Sequence, residues 1–238
     1  MIAAVKSMIA PLFIMMQGRL EALKIITRES ENESAMTELP ERLFLNPVWH
    51  ALHTKHRHLA VCAGDACRYP ADAAPFAAVA APSASALQQL HSLLAAGESA
   101  WLIGDNLPRV PSLSLGKTMD CLQMVLPAQV GLPPSDSDAV RLSAADAPQM
   151  LSLAELAFPG FFRRRTGEMG SYYGIRSGGA LIAMAGERLM IEGYPEISGV
   201  CTHPAHRGRG HAAKLIAQLA QDHRRDGLVS WLHVGCEN

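Results

Sequence analysis

A strand, a glycine turn and a helix follow one another within residues 196–216, and this stretch constrains the fold more than any other in the chain. The segment Glu196–Thr202 alternates, contains β-branched residues as strands do, and is ended by Pro204. The segment Arg207–Gly210 then predicts a tight turn. Beyond it, apolar residues fall at helical spacing at Ala212, Leu215, Ile216 and Leu219. We therefore predict a strand that passes directly into a helix through a glycine turn.

The predicted turn has the chemistry of a phosphate-binding site. The first N–H groups of a helix lack intrahelical partners, and the helix dipole places partial positive charge beside them. Gly208 and Gly210 have no Cβ atom to obstruct a ligand or a positive φ, and Arg207 and Arg209 add positive charge. A diphosphate group suits such a turn best. The sequence therefore predicts that a phosphorylated cofactor binds here.

Composition limits the binding partners and the cellular compartment that can be predicted. The chain has 238 residues, a formal net charge of −1 and 5% aromatic residues, so neither a basic field nor a base-stacking surface for nucleic acid is predicted. The apolar run at residues 1–16 is too short to span a bilayer and is broken by Pro11, so no membrane association is predicted. Five cysteines without regular spacing predict no disulfide framework, which is typical of a cytoplasmic protein.

Three regions are predicted along the chain. Residues 1–37 form an N-terminal extension, which is either a peripheral helix or a misassigned start. Residues 38–132 alternate short strands and helices and form an α/β domain of unknown role. A stretch rich in proline and serine follows. Residues 138–238 then show the order strand, helix, three antiparallel strands, helix, strand, which predicts an α+β or mixed α/β class with the last helix crossing between two adjacent strands.

Histidines and cysteines are concentrated between residues 50 and 67. His50 and His53 share a face of a predicted helix, His56 and His58 follow, and Cys62 and Cys67 come shortly after. These are zinc-ligand types, but their spacing matches no familiar finger, and histidine-bearing helices often simply face solvent. No metal site is predicted.

The segments Val200–Pro204 and Arg207–Ala212 resemble the acetyl-CoA signature of the GNAT superfamily of N-acetyltransferases. That signature reads Gln/Arg-x-x-Gly-x-Gly/Ala after a strand, and Arg207, Gly210 and Ala212 match it in place. The order of elements and the closing Glu237-Asn238 are also similar, so the resemblance covers residues 139–238. It implies a GNAT-like fold with a central, largely antiparallel sheet flanked by helices.

The resemblance also implies an activity and a site. It implies an enzyme that transfers an acetyl group from acetyl-CoA, a cosubstrate, to an amine of a small molecule or peptide by direct attack. The pantetheine would pair with the strand at Val200, Cys201 and Thr202, and Asn238 would close the cofactor site. The diphosphate would lie on the backbone amides of Arg207, Gly208, Arg209, Gly210, His211 and Ala212.

Glu196 is the predicted catalytic residue in this resemblance. It would take the proton of the amine through water, and burial would have to raise its pKa above the usual value of about 4.3. The alternative is a glutamate that faces solvent or pairs with a nearby arginine. Tyr194 and His203 are the alternative proton carriers, and Cys201 is not predicted to form a covalent intermediate.

The chain departs from the family at its end. Family members continue after the position of Asn238 with a helix that carries a tyrosine and with further strands. Without them we expect the last strand to be an exposed edge. The sequence is then a truncated product, or a second chain completes the site, as in a homodimer, or cofactor binding persists without efficient transfer.

Two other functions remain open from the sequence. One is a non-catalytic module that binds acyl-CoA. The other is a dinucleotide-binding oxidoreductase, because Gly208-x-Gly210-x-x-Ala213 also satisfies the Rossmann fingerprint. Against the oxidoreductase, several residues separate the strand from the first glycine, and only 28 residues follow Gly210.

Overall fold

A computed structural model describes residues 14–16, 41–104, 107–114, 116, 119, 121–127, 129–132 and 138–235. These residues form five helices and two sheets. The helices are α1 (Glu41–Leu45), α2 (Pro47–His53), α3 (Ala84–Leu93), α4 (Ala147–Ala157) and α5 (His211–Arg225). The strands are β1 (Ile14–Met16), β2 (Val61–Ala63), β3 (Ala66–Arg68), β4 (Phe76–Val79), β5 (Trp101–Leu102), β6 (Cys121–Val125), β7 (Val140–Arg141), β8 (Tyr172–Ser177), β9 (Ala180–Ile191), β10 (Tyr194–Thr202) and β11 (Trp231–Gly235).

The larger sheet has seven strands in the order β1-β6-β11-β10-β9-β8-β7. Its neighbouring strands are antiparallel except for β10 and β11, which are parallel and are connected by α5. A parallel pair requires a crossover connection, and α5 supplies it. This arrangement confirms the predicted central, largely antiparallel sheet with flanking helices.

The expectation that the last strand is an exposed edge is wrong. β6 pairs antiparallel with β11 along its whole length, from Trp231 opposite Val125 to Gly235 opposite Cys121, and β1 pairs with the far side of β6. The strands that cover β11 therefore come from earlier in the chain rather than from residues after it. The predicted division into residues 1–37, 38–132 and 138–238 stays a prediction, but β1 and β6 belong to the same sheet as β7–β11.

The smaller sheet has the order β2-β3-β4-β5 and carries α3. The hairpin of β2 and β3 places Cys62 directly opposite Cys67, and the two form a disulfide. The expectation of no disulfide framework is wrong for this pair. Opposition across a tight hairpin, and not a regular spacing of cysteines along the chain, brings the two sulfurs together.

A common core joins the two sheets. Phe44 and Val48 pack from the N-terminal helices against Leu189, Ile191 and Trp231 of the larger sheet. The ring of Phe44 lies edge-on to that of Trp231, with 5.2 Å between the centroids. Helices α1 and α2 are therefore part of the core that positions β9, β10 and β11. Within the described residues, none of the helices is both long and apolar enough to cross a lipid bilayer.

Helix α5 is fixed by one apolar face. Leu215, Ile216, Leu219 and Ala220 are at most 2% exposed and pack in the core formed with β9, β10 and β11. Their i, i+1, i+4, i+5 spacing puts them on one stripe of the helix. Burial of this stripe places the N-terminus of α5 beside the end of β10.

Candidate cofactor and active site

Strands β10 and β11 meet and then separate. In the described part of the chain they pair at one position, where Glu196 lies opposite Trp231. β10 continues to Thr202 and stays paired with β9 on its other side, and β11 continues to Gly235. The edge of β10 that faces β11 is therefore open beyond Glu196, and an extended ligand could add to that edge as a strand does.

A bulge bends β10 within the open stretch. Ser198 lies opposite Gly186, and Cys201 lies opposite Met184. Between these two pairs β10 advances by three residues while β9 advances by two. Gly199 takes a φ of +62° there, and a Cβ atom on it would lie 3.2 Å from the ring of Tyr172. Glycine therefore suits this position both in backbone conformation and in space.

The turn after β10 is open to a ligand. Gly208 and Gly210 both have a φ of +77°, and no atom lies within 4 Å of a Cβ position built on either. Gly210 is the N-cap of α5, no side-chain oxygen caps the helix, and its first turn has no acidic residue. The Nε of Arg207 donates to the carbonyl of Thr202 at 3.1 Å, which ties the turn to the strand. The turn thus has the features that anion binding at a helix N-terminus requires.

Two histidines border this turn with unpaired ring nitrogens. Nδ1 of His206 and both ring nitrogens of His211 are buried and have no hydrogen-bond partner among the described residues. Burial lowers the pKa of His211, and the positive charges of Lys214, Arg209 and His206 lower it further. A neutral imidazole has one donor and one acceptor, and a bound polar ligand would satisfy them.

Glu196 is fully buried in a network of positive and polar groups. Arg188 donates to both carboxylate oxygens, with Nε at 2.9 Å from Oε2, and the N–H of Leu189 donates to Oε2 at 3.2 Å. Nδ1 of His233 lies 2.7 Å from Oε1. Burial raises the pKa of Glu196, but the charge of Arg188 and the hydrogen bonds from Arg188 and His233 outweigh it and lower the pKa to about 2. The expectation that the pKa of Glu196 lies above its usual value is therefore wrong, although burial alone acts in that direction.

The network continues into β6. The side-chain nitrogen of Gln123 lies 3.2 Å from Nε2 of His233 and donates to the carbonyl of Phe44 at 2.8 Å. Since the amide donates to Nε2, the imidazole proton lies on Nδ1 and is directed at Glu196. The strand that covers β11 therefore also sets the orientation of His233.

Sequence reasoning did not identify Arg188, His233 or Gln123. The available signal was Glu196 itself, because a carboxylate on a buried strand requires a cationic partner, and the alternative of a nearby arginine was stated. The guanidinium of Arg188 also lies 4.7 Å from the ring centroid of Phe76 on β4. The smaller sheet thus contacts the network from its other side.

The structure places the other predicted site residues as follows. Val200, Cys201 and Thr202 lie on the open stretch of β10, and residues 207–212 form the turn and the start of α5. Burial raises the pKa of the Cys201 thiol to about 12, so a reactive thiolate is scarce at neutral pH. The ring of Tyr194 packs against Phe44, and His203 accepts a hydrogen bond from the N–H of Ala205. Asn238 lies outside the described residues.

Comparison with known proteins gives a consistent assignment. The model of the acetyltransferase (GNAT) family matches residues 141–238. A GNAT-family structure from Novosphingobium aromaticivorans is 34% identical, with a TM-score of 0.74, over 82% of this chain and 87% of that one. A GCN5-related N-acetyltransferase from Kribbella flavida has the same fold at 18% identity, with a TM-score of 0.51, over 84% of this chain and 87% of that one. No curated protein matches the chain. From the identity of 34% over most of both chains, the protein belongs to the GNAT family of acetyltransferases.

Proposed function

We propose that the protein transfers an acetyl group from acetyl-CoA to a primary amine of a small molecule or peptide. Its family makes it an acyltransferase that uses an acyl-CoA donor. The acetyl group and the amine acceptor are the proposed details. The observation that carries the proposal is the separation of β10 and β11 beside an uncapped helix N-terminus.

The proposed cofactor position follows the open edge of β10. The pantetheine amides would pair with the backbone of Val200, Cys201 and Thr202, as an added strand does. The diphosphate would accept from the backbone amides of residues 208–212, with Arg207 and Arg209 nearby. The empty space at Gly208 and Gly210 and the unpaired nitrogens of His211 support this placement.

The reaction requires a neutral amine and a proton for the leaving thiolate. The amine nitrogen would attack the thioester carbonyl, so that a C–N bond forms and the C–S bond breaks. A primary amine has a pKa near 10 and is mostly protonated at pH 7, so a base accelerates the reaction. The proton taken from the amine can be returned to the thiolate.

We propose that Glu196 acts in this step through His233. With a pKa of about 2 and both oxygens engaged, Glu196 would not hold the amine proton at neutral pH. It fixes the Nδ1 proton of His233 instead, and the Nε2 lone pair accepts a 3.2 Å hydrogen bond from the amide of Gln123. Once the Gln123 amide turns away, Nε2 would receive the amine proton in its place, directly or through water. Glu196 is then a positioning residue, and its charge stabilises the imidazolium that forms.

Ligand binding and thiol release test the proposal together. Thermal unfolding with acetyl-CoA, CoA and NAD should show stabilisation by the first two only, by about 2.7 kcal/mol at a hundred times Kd. When a panel of amines is then added, the rate of thiol release from acetyl-CoA should rise with the amines of one chemical class. Stabilisation by NAD but not by CoA would contradict the cofactor assignment. Binding of acetyl-CoA without thiol release for any amine would instead indicate a non-catalytic module.

A further inference from the structure

Three metal-ligating side chains meet in the N-terminal half, away from the proposed acetyl-transfer site. A ring nitrogen of His53 and the sulfurs of Cys62 and Cys67 all lie within 4.8 Å of one another. His53 is the last residue of α2, and the two cysteines face each other across β2 and β3. Three separate elements therefore deliver one ligand atom each to the same point.

The imidazole of His53 is already oriented as a metal ligand. Its Nδ1 lies 2.8 Å from the carbonyl oxygen of Trp49, and its ring stacks on the Trp49 ring with 3.9 Å between centroids. The carbonyl can only accept, so Nδ1 carries the proton and Nε2 has a free lone pair. Nε2 lies 3.9 Å from the sulfur of Cys67. Metal-bound histidines in proteins are commonly held in this way, with the other ring nitrogen donating to a carbonyl.

We infer that reduction of the Cys62–Cys67 disulfide creates a zinc site with the ligands His53, Cys62 and Cys67. A dithiol reductant supplies two electrons and two protons, which break the S–S bond and leave two thiols, and the reductant becomes a disulfide. Zn²⁺ then replaces the two thiol protons, which are released to solvent. With the disulfide intact, neither sulfur is a thiolate, so the site binds zinc only in the reduced protein.

The distances suit zinc. With Zn–S bonds of about 2.3 Å and Zn–N bonds of about 2.0 Å, two ligand atoms of a tetrahedral site lie roughly 3.5–3.8 Å apart. The 3.9 Å separation of Nε2 and the Cys67 sulfur is already close to that value. The two sulfurs are bonded to each other in this structure, so they must move apart to that spacing once the S–S bond is broken.

The fourth ligand position faces solvent. His53 and Cys62 are exposed, and Cys67 is buried beneath them. Zinc held by two thiolates and one imidazole there has room for a water molecule or an external ligand. A soft set of two sulfurs and one nitrogen favours zinc over magnesium or calcium, which prefer oxygen ligands.

Cobalt and zinc titrations of the full chain test the inference. The protein is reduced with dithiothreitol, freed of it under anaerobic conditions, and titrated with Co²⁺ and then with Zn²⁺ against a chromophoric chelator. We expect thiolate-to-cobalt absorption with tetrahedral visible bands, displacement by one Zn²⁺ per chain, and at least tenfold weaker binding to the disulfide form. Equal affinity of the reduced and disulfide forms would overturn the inference.

Exposed-residue variants separate this site from the other cysteines. His53→Gln and Cys62→Ser should each weaken zinc binding at least tenfold, and the exposed His58→Gln on the neighbouring turn should leave it unchanged. Cys62→Ser also lacks the disulfide, so its failure to bind would come from the lost ligand and not from oxidation. Cys67 can still give weakened thiolate absorption in Cys62→Ser, but undiminished absorption together with unchanged affinity would assign the metal to other cysteines and overturn the inference.

Discussion

Glu196 and His233 share a 2.7 Å hydrogen bond at the point where β10 and β11 separate. The two strands have their backbone pair at Glu196 and Trp231, and this side-chain bond ties them a second time two residues further along β11. The gap between β10 and β11 is therefore closed at one end by a buried carboxylate with partners on β9 and β11. The interactions of this carboxylate with Arg188 and His233 therefore affect both the stability of the fold and the proposed reaction.

Replacing Glu196 by glutamine should destabilise the protein by roughly 3 kcal/mol. The change keeps the size of the side chain but leaves the guanidinium of Arg188 buried without its counter-charge, and breaking a buried pair on one side typically costs about 3–5 kcal/mol. Urea unfolding followed by tryptophan fluorescence measures the loss. Glu168→Gln is the matched control, because its pair with Arg165 is half-exposed and should contribute less than about 1 kcal/mol. Equal losses in the two variants would contradict the buried-pair argument.

Acid should remove the same stabilisation from the wild-type protein. The folded-state pKa of Glu196 is about 2, below its usual value of 4.5. A carboxyl whose pKa is lower in the folded than in the unfolded protein stabilises the fold above its unfolded-state pKa. This stabilisation is lost as the pH falls through the folded-state pKa. The loss should therefore run from about pH 5 to pH 2 and amount to about 3 kcal/mol. As the pH falls across this range, the free energy of unfolding should decrease less steeply in Glu196→Gln than in the wild-type protein. Equal slopes in the two proteins would show that the carboxylate is not the group that titrates.

Local patterns predicted the elements of the C-terminal half because periodicity and turn residues act over a few neighbours. The helix predicted from the apolar spacing at Ala212, Leu215, Ile216 and Leu219 is α5, and the strand predicted at Glu196–Thr202 lies within β10 at Tyr194–Thr202. The strand that ends the predicted order is β11, which begins at Trp231, and before it the N–H of Leu228 still bonds to the carbonyl of His223 at the end of α5.

The missed features are contacts between residues far apart in the sequence. Pairing of β6 with β11 joins positions more than a hundred residues apart, and a run such as Cys121–Val125 does not indicate which strand it joins. The resemblance implies that the covering strands follow Asn238, and no local pattern in the sequence indicates an upstream strand in their place. The contact of His233 with Gln123 is of the same kind, because the two residues meet only when β6 and β11 pair.

The conformation of Gly210 should be required for cofactor binding. Gly210→Ala places a Cβ atom on a residue with a φ of +77°, which costs an L-residue about 1–2 kcal/mol and shifts the amides at the start of α5. We expect at least a tenfold weaker affinity for CoA by calorimetry. Gly97→Ala is the control, because Gly97 follows α3 with a φ of +76° and equally empty surroundings. It should lose similar stability and bind CoA normally, and weakened binding in both variants would point to a global effect.

His233→Gln should lower kcat on the order of a hundredfold and leave the affinity for acetyl-CoA within about twofold, since general base catalysis typically contributes 10²–10⁴-fold. Glutamine can still donate to Glu196 but offers no imidazole nitrogen to receive the amine proton. Single-turnover thiol release measures the rate and calorimetry measures the affinity, and the exposed His91→Gln on α3 is the control.

If Glu196 acts through His233, Glu196→Gln should lower kcat as well, and the double variant should be no slower than His233→Gln. Additive losses would show that the two residues act independently, and an unchanged kcat in His233→Gln would remove His233 from the proposed mechanism.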